Sequence, residues 1–137
     1  MVADAMSVAR RPWWVIGSAA VVLHGGSTHA RDVDVIVDPA DIAAVIMATG
    51  AAPAEAPADP LFRSAWFLRW SDPPVPVEFM AGFSVAIGSA WRPVEPRTRE
   101  RITVDQAPVF VPARDELRQI LASFGRPKDV ARALLLS

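Results

Sequence analysis

The first third of the sequence constrains the fold most, because strand patterns alternate there with a helix pattern. Residues 13–16 form an apolar run typical of a buried strand, and the pair Gly17-Ser18 follows it as a turn. Residues 19–24 then form a short helix pattern, which two glycines end because glycine readily adopts the left-handed conformation that closes helices. Residues 33–37 are a second strand pattern. This order predicts a sheet that is covered by helices.

Later segments add strands and helices of ordinary length. Proline-rich residues 53–60 and 72–76 are typical of connections. The further predicted elements are a weakly amphipathic segment at 3–10, a helix from Asp38 to Thr49 ended by Gly50, hairpins at 66–70 with 75–80 and at 101–105 with 108–111, and helices at 114–124 and 127–136. We therefore expect an α+β or α/β fold with a small mixed sheet and helices mainly on one side.

Composition limits the class of protein. A chain of 137 residues with 52% hydrophobic and 21% charged residues fits one domain, 1–137, with a closed core. No cysteine and only two histidines exclude disulfides and thiolate metal sites, so any metal would bind carboxylates. The net charge of −1 provides no general attraction to nucleic acid or to anionic membranes.

The location follows from the absence of targeting patterns. The apolar runs are interrupted by aspartate, glycine or proline before they reach the roughly 18 residues of a membrane span. The N-terminus has an acid where a secretory signal has basic residues. We expect a cytoplasmic protein with no membrane partner.

Most of the candidate catalytic and metal-binding residues lie between positions 17 and 34. Asp32 and Asp34 would lie on one face of the second strand, about 7 Å apart along the chain. Oxygen ligands of this kind suit Mg²⁺ or Mn²⁺, which joins carboxylates to substrate phosphates. Gly17 lets the backbone approach a phosphate, and Ser18, also the expected cap of the helix, offers a hydroxyl.

Glu78 is a third candidate acid. It alternates with apolar neighbours on a later predicted strand, so its side chain would point away from theirs. In that position it could complete a metal site or act as the base for an incoming hydroxyl. The alternative is an ordinary solvated glutamate on an edge strand.

These residues resemble the nucleotidyltransferase superfamily, and most closely the AbiE-type toxin nucleotidyltransferases of bacteria and their small relatives. The matching motifs are, in chain order, Gly17-Ser18, His24-Gly25, Arg31-Asp32-Val33-Asp34-Val35, Glu78, Val109-Phe110-Val111-Pro112, Glu116-Leu117 and Arg126-Pro127-Lys128-Asp129. The resemblance implies the nucleotidyltransferase fold, metal binding by Asp32, Asp34 and Glu78, and nucleotide binding by Gly17, Ser18 and Arg31. It also makes Lys128 a candidate catalytic or phosphate-contacting residue.

The chain departs from the family pattern at two positions. Residues 119–121 lack the lysine that relatives commonly carry before the Arg-x-Lys-Asp element, and Arg132 stands where they carry a further aspartate. Another arginine could replace the missing lysine, with Arg31, Arg118 and Arg126 as candidates. Alternatively, the chain is weakly active or inactive.

The expected function is Mg²⁺-dependent transfer of NMP from an NTP to a hydroxyl group of tRNA or of a protein, within a toxin–antitoxin system. Two alternatives remain open: a nucleotide-binding or partner-binding module without turnover, and a subunit that works only with a partner protein chain. His29, beside the acids, is a further candidate for substrate contact. Trp66 or Trp70, near Phe62, could stack a base or form a dimer contact, although core packing is the simpler interpretation of both.

Overall fold

The fold is α+β, as expected. A computed structural model describes residues 1–56 and 58–137; Pro57, in the predicted proline-rich connection, lies outside the described residues. The elements are α1 (Val2–Met6), β1 (Trp14–Ile16), α2 (Gly17–Leu23), β2 (Val33–Ile36), a 3-10 turn (Pro39–Asp41), α3 (Ile42–Thr49), β3 (Phe62–Arg63), β4 (Trp66–Trp70), β5 (Val77–Ala81), β6 (Ser84–Ile87), β7 (Ala90–Pro93), β8 (Glu100–Val104), β9 (Ala107–Val111), α4 (Arg114–Phe124) and α5 (Pro127–Leu134).

The principal sheet is mixed and has the strand order β1-β2-β5-β4. Strands β2 and β5 are parallel, whereas β1 pairs with β2 and β4 pairs with β5 in antiparallel fashion. This register aligns Asp34 with Glu78, and Glu78 with Arg69 on β4. Because side chains alternate along each strand, all three lie on one face of the sheet.

Two smaller sheets accompany the principal one. The predicted hairpin near the C-terminal end is confirmed as β8 and β9, and the predicted pairing of residues 66–70 with 75–80 is confirmed as β4 and β5. The three-stranded sheet β3-β6-β7 is absent from the sequence prediction. Its strands span only two to four residues, and tertiary pairing rather than local pattern fixes such short strands.

Part of the core lies on the face of the principal sheet opposite these charged residues. Val35, Leu68 and Phe79 are fully buried there on β2, β4 and β5, and Leu117 and Leu121 of α4 are equally buried. Helix α4 begins with an acidic first turn and ends at Gly125, whose left-handed conformation closes it as predicted. None of the helices in the described part of the chain is both long and apolar enough to span a membrane.

Several predicted element boundaries are wrong. Helix α2 begins at Gly17, one residue before Ser18, so Ser18 lies inside the helix and does not cap it. The cap prediction at Asp38 is confirmed, because its side chain accepts a hydrogen bond from the Ala40 N–H at 2.9 Å, but it caps a 3-10 turn that precedes α3. Helix α1 includes only the first part of the amphipathic segment at 3–10, and α5 ends before the predicted residue 136.

Candidate functional site

Three half-buried carboxylates meet on the polar face of the principal sheet. Asp32 immediately precedes β2, Asp34 lies on β2, and Glu78 lies beside it on β5. One carboxylate oxygen from each residue lies within 4.8 Å of the others. The parallel pairing of β2 with β5 therefore brings together the three acids that the sequence predicts as a metal site.

The acid cluster has a strong electrostatic signature. Burial, the negative charges of Asp32 and Glu78 and a hydrogen bond to Glu78 together raise the pKa of Asp34 to about 8, while the charge of Arg126 lowers it. The neighbouring negative charges disfavour the ionised form of Asp34. A divalent cation would neutralise this repulsion, and three carboxylates are the hard oxygen donors that Mg²⁺ and Mn²⁺ prefer. The donor set thus fits the metal that the sequence predicts.

Gly17 lies directly against this cluster. Its φ of +68° is in the left-handed region, and a Cβ atom at this position would lie 3.1 Å from Oδ2 of Asp34. Both the backbone conformation and the close approach therefore require glycine. Ser18, the next residue, is buried in the first turn of α2 and lines the same cleft. The glycine-serine pair thus brings main chain to the carboxylates.

Arg69 is a functional candidate that the sequence analysis missed. Its Nη1 atom donates a hydrogen bond to Oε1 of Glu78 at 2.6 Å across the β4–β5 pair. The predicted hairpin contained the information, because its register places Arg69 opposite Glu78. Glu78 therefore has a cationic partner on one side and Asp34 on the other, and it is not the solvated edge glutamate of the alternative interpretation.

Arg126 is held in place by a buried carboxylate. Asp129 is 1% exposed and accepts two hydrogen bonds from the Arg126 guanidinium, from Nε at 2.6 Å and from Nη2 at 3.0 Å. The same guanidinium lies 4.8 Å from the ring centroid of Phe62. Asp129 thus fixes the position of Arg126 on the wall of the cleft.

The carboxylates lie in a cleft of about 320 Å³. Every predicted site residue lines it, namely Gly17, Ser18, Arg31, Asp32, Asp34, Glu78 and Lys128. His29 and Arg126 also line it, as does Arg132, the residue that departs from the family pattern. Arg118 does not line it and instead pairs with Asp115 on α4 at 3.1 Å. Of the three arginines considered as replacements for the missing lysine, the cleft thus contains Arg31 and Arg126.

The apolar wall of the cleft is formed by phenylalanines. Phe62 packs against Phe83 at 5.5 Å and against Phe124 at 4.9 Å between ring centroids. Trp66 and Trp70 are not among the described residues that line the cleft, and Trp70 instead stacks on buried Phe79. The structure therefore does not support base stacking by these tryptophans in this cleft.

Comparisons with known proteins identify the fold. No protein-family model matches the sequence, and it has no match among curated proteins. A solved structure from Thermotoga maritima, provisionally assigned as a nucleotidyltransferase, has a TM-score of 0.76 and 16% identity over 95% of this chain and 84% of that one.

A second similar fold is that of ANT(2'')-Ia in complex with adenylyl-2''-tobramycin, with a TM-score of 0.60 and 11% identity over 98% of this chain and 84% of that one. The solution structure of ANT(2'')-Ia, an antibiotic-resistance factor, gives the same TM-score and identity over 96% of this chain and 76% of that one. At these identities the similarity establishes a nucleotidyltransferase fold.

Proposed function

We propose that this chain is a nucleotidyltransferase that uses Mg²⁺ or Mn²⁺ to transfer NMP from an NTP to a hydroxyl group, with release of pyrophosphate. The observation that carries the proposal is the convergence of Asp32, Asp34 and Glu78 within 4.8 Å, in a cleft of this fold. The O–H bond of the acceptor and the bond between the α- and β-phosphates break, and a new phosphoester bond forms. We place the reaction in the cytoplasm.

The three acids would bind the metal and help to deprotonate the acceptor hydroxyl. Asp32 and Asp34 would provide metal ligands, and Glu78 would complete the site or accept the proton of the hydroxyl. When bound, the metal supplies positive charge to the attacking and leaving oxygens. Arg69 donates a hydrogen bond to Oε1 of Glu78 and would compete with the metal for that carboxylate.

The cationic residues of the cleft suit the triphosphate. Gly17 brings main-chain atoms beside the acids, and Ser18 offers its hydroxyl at the same place. Arg31 and Lys128 line the cleft, and Asp129 orients Arg126 toward it. A fixed guanidinium binds phosphate oxygens without losing side-chain freedom on binding. We assign the role of the missing family lysine to Arg126.

The acceptor we propose is a hydroxyl of tRNA or of a protein, in keeping with the sequence resemblance to AbiE-type toxin enzymes. We also propose that the chain acts within a toxin–antitoxin system, together with a partner protein chain.

Pyrophosphate release tests the activity. The purified chain, incubated with each NTP, Mg²⁺ or Mn²⁺ and a tRNA pool, should release pyrophosphate with one or more nucleotides. Asp34→Asn should abolish release, because it removes a ligand from the acid cluster. Asp72→Asn is the matched control, since Asp72 is an exposed acid outside the cleft, and it should leave release unchanged. Release that survives Asp34→Asn would refute the proposed site.

A second candidate function is a nucleotide-binding or partner-binding subunit with weak or no turnover. It is favoured by the tight pairing of Glu78 with Arg69 and by Arg132 in the cleft. Thermal unfolding distinguishes the two functions. A nucleotide at about 100 times its dissociation constant should add roughly 2.7 kcal/mol of stability. Stabilisation that requires both metal and Asp34, without pyrophosphate release, would establish binding without turnover.

A further inference from the structure

A second and larger cavity lies on the opposite face of the principal sheet. Its volume is about 550 Å³, compared with about 320 Å³ for the cleft. Its floor includes Val33 and Val77, each the immediate neighbour of a cleft acid. Its walls are the start of α1, one side of α2, the Pro73-Pro74-Val75 connection and the turn between β8 and β9. Nothing in the proposed transfer reaction uses this groove.

Exposed apolar side chains cluster at this groove. Met1, Val22, Val75 and Val104 belong to four separate segments, and each is more than a third exposed while lining the groove. Single exposed apolar residues are ordinary on a protein surface, but a contiguous apolar patch is typical of a binding site. The volume also lies within the range of about 300–1,000 Å³ that is usual for ligand pockets.

The charged groups of the groove have one predominant sign. Asp4 and Asp105 are the only ionisable side chains that line it, and neither forms a salt bridge within residues 1–56 and 58–137. Among the described residues, no lysine, arginine or histidine lines the groove, so its side chains contribute a net negative charge. Asp105 lies in the turn between β8 and β9 and has a φ of +49°.

We propose that this groove binds an amphiphile with an aliphatic tail and a cationic head group. The tail would lie along the valines of the floor, and the head would lie between Asp4 and Asp105. Burial of apolar area provides the affinity, and the unpaired carboxylates select the sign of the charge. The proposal is independent of the proposed transfer reaction, because it involves neither the acids nor the cations of the cleft.

Probes with equal tails and different heads test this inference. Decyltrimethylammonium, decyl maltoside and decyl sulfate are titrated into the unmodified chain by calorimetry, below their micelle concentrations. We expect the cationic probe to bind at least tenfold more tightly than the anionic one, with the neutral probe between them. Raising the salt concentration should reduce that difference, since the carboxylates are exposed. Equal affinities for the three probes would overturn the charge selection.

Three variants locate the binding. Val22→Gln should lower the affinity for the cationic probe about tenfold. Met47→Gln, at an 87% exposed position of α3 outside the groove, should leave that affinity unchanged. Asp105→Asn preserves the turn, because asparagine tolerates a positive φ, and should bring the affinities of the charged probes closer together.

Unfolding curves establish that each variant is folded. Equal effects of the two glutamine variants would overturn the location. The oligomeric state of the unmodified chain tests a different occupant. A dimer that Val22→Gln dissociates would show that a second copy covers the groove, which contradicts the proposal.

Discussion

Adjacent residues of β2 and β5 have opposite chemistry because they lie on opposite faces of the sheet. Asp34 and Glu78 point into the cleft, while Val35 and Phe79, one residue further along each strand, are fully buried in the core. Strand geometry alone produces this separation, because successive side chains point to opposite faces. The core face can therefore hold the strands in place while the cleft face accommodates carboxylates that repel one another.

The two faces also differ in how they affect stability. Burial of Val35 and Phe79 favours folding, whereas the raised pKa of Asp34 reflects a carboxylate in an unfavourable environment. Functional sites commonly have such unfavourable arrangements, which the remainder of the fold stabilises. The largest expected loss of stability therefore comes from placing a charged side chain on the core face. The smallest comes from removing one member of an ion pair on the cleft face.

The strongest test places a carboxylate on the core face. We expect Val35→Asp to cost about 4 kcal/mol or more in free energy of unfolding, since no partner there can pair with the charge. Val104→Asp introduces the same charge at an exposed position and should cost little. Denaturant unfolding of both variants measures the difference. A folded Val35→Asp protein with near-normal stability would show that the core face tolerates charge, contrary to the comparison.

The sequence predicted the cleft face better than its surroundings, and the reason is physical. The spacing of Asp32 and Asp34 and the alternation around Glu78 are local patterns, so strand geometry alone predicts where those side chains point. The structure confirms that the three acids converge. The roles of the remaining contacts depend on tertiary structure.

The fixed position of Arg126 illustrates that limit. The sequence predicts the element that contains Arg126 and Asp129, but only the packed fold shows that Asp129 is buried. Likewise, strand β3 has two residues, too few for any periodic pattern. Short elements and buried pairs thus require the whole chain to be in place before they can be identified.

Asp34 provides an intermediate effect with a defined pH dependence. Its pKa is about 8 in the folded chain and near 3.8 in the unfolded chain. Because the folded value is higher, the ionised form disfavours folding. This loss is absent below about pH 4, grows as the pH rises, and is complete above about pH 8.

In metal-free buffer, Asp34→Asn should therefore raise the melting temperature by several degrees near pH 8 and leave it nearly unchanged near pH 4. Asparagine also retains a donor for the hydrogen bond to Glu78. Thermal unfolding from pH 4 to pH 8 measures the melting temperature of each variant, and Asp72→Asn is the matched exposed control. A stabilisation of equal size at both pH values would mean that titration of Asp34 is not its cause.

The smallest expected effect concerns Arg69, the cation that binds Glu78. Arg69 is 48% exposed, and exposed ion pairs contribute about 0–1 kcal/mol, so stability should change little in Arg69→Ala. Metal binding is the sharper measurement. A freed Glu78 carboxylate should bind Mn²⁺ up to about fivefold more tightly by calorimetry, which corresponds to about 1 kcal/mol. Arg69→Lys, which keeps the charge, should retain most of the original affinity. Weaker Mn²⁺ binding by Arg69→Ala would show instead that Arg69 holds Glu78 in its ligating position.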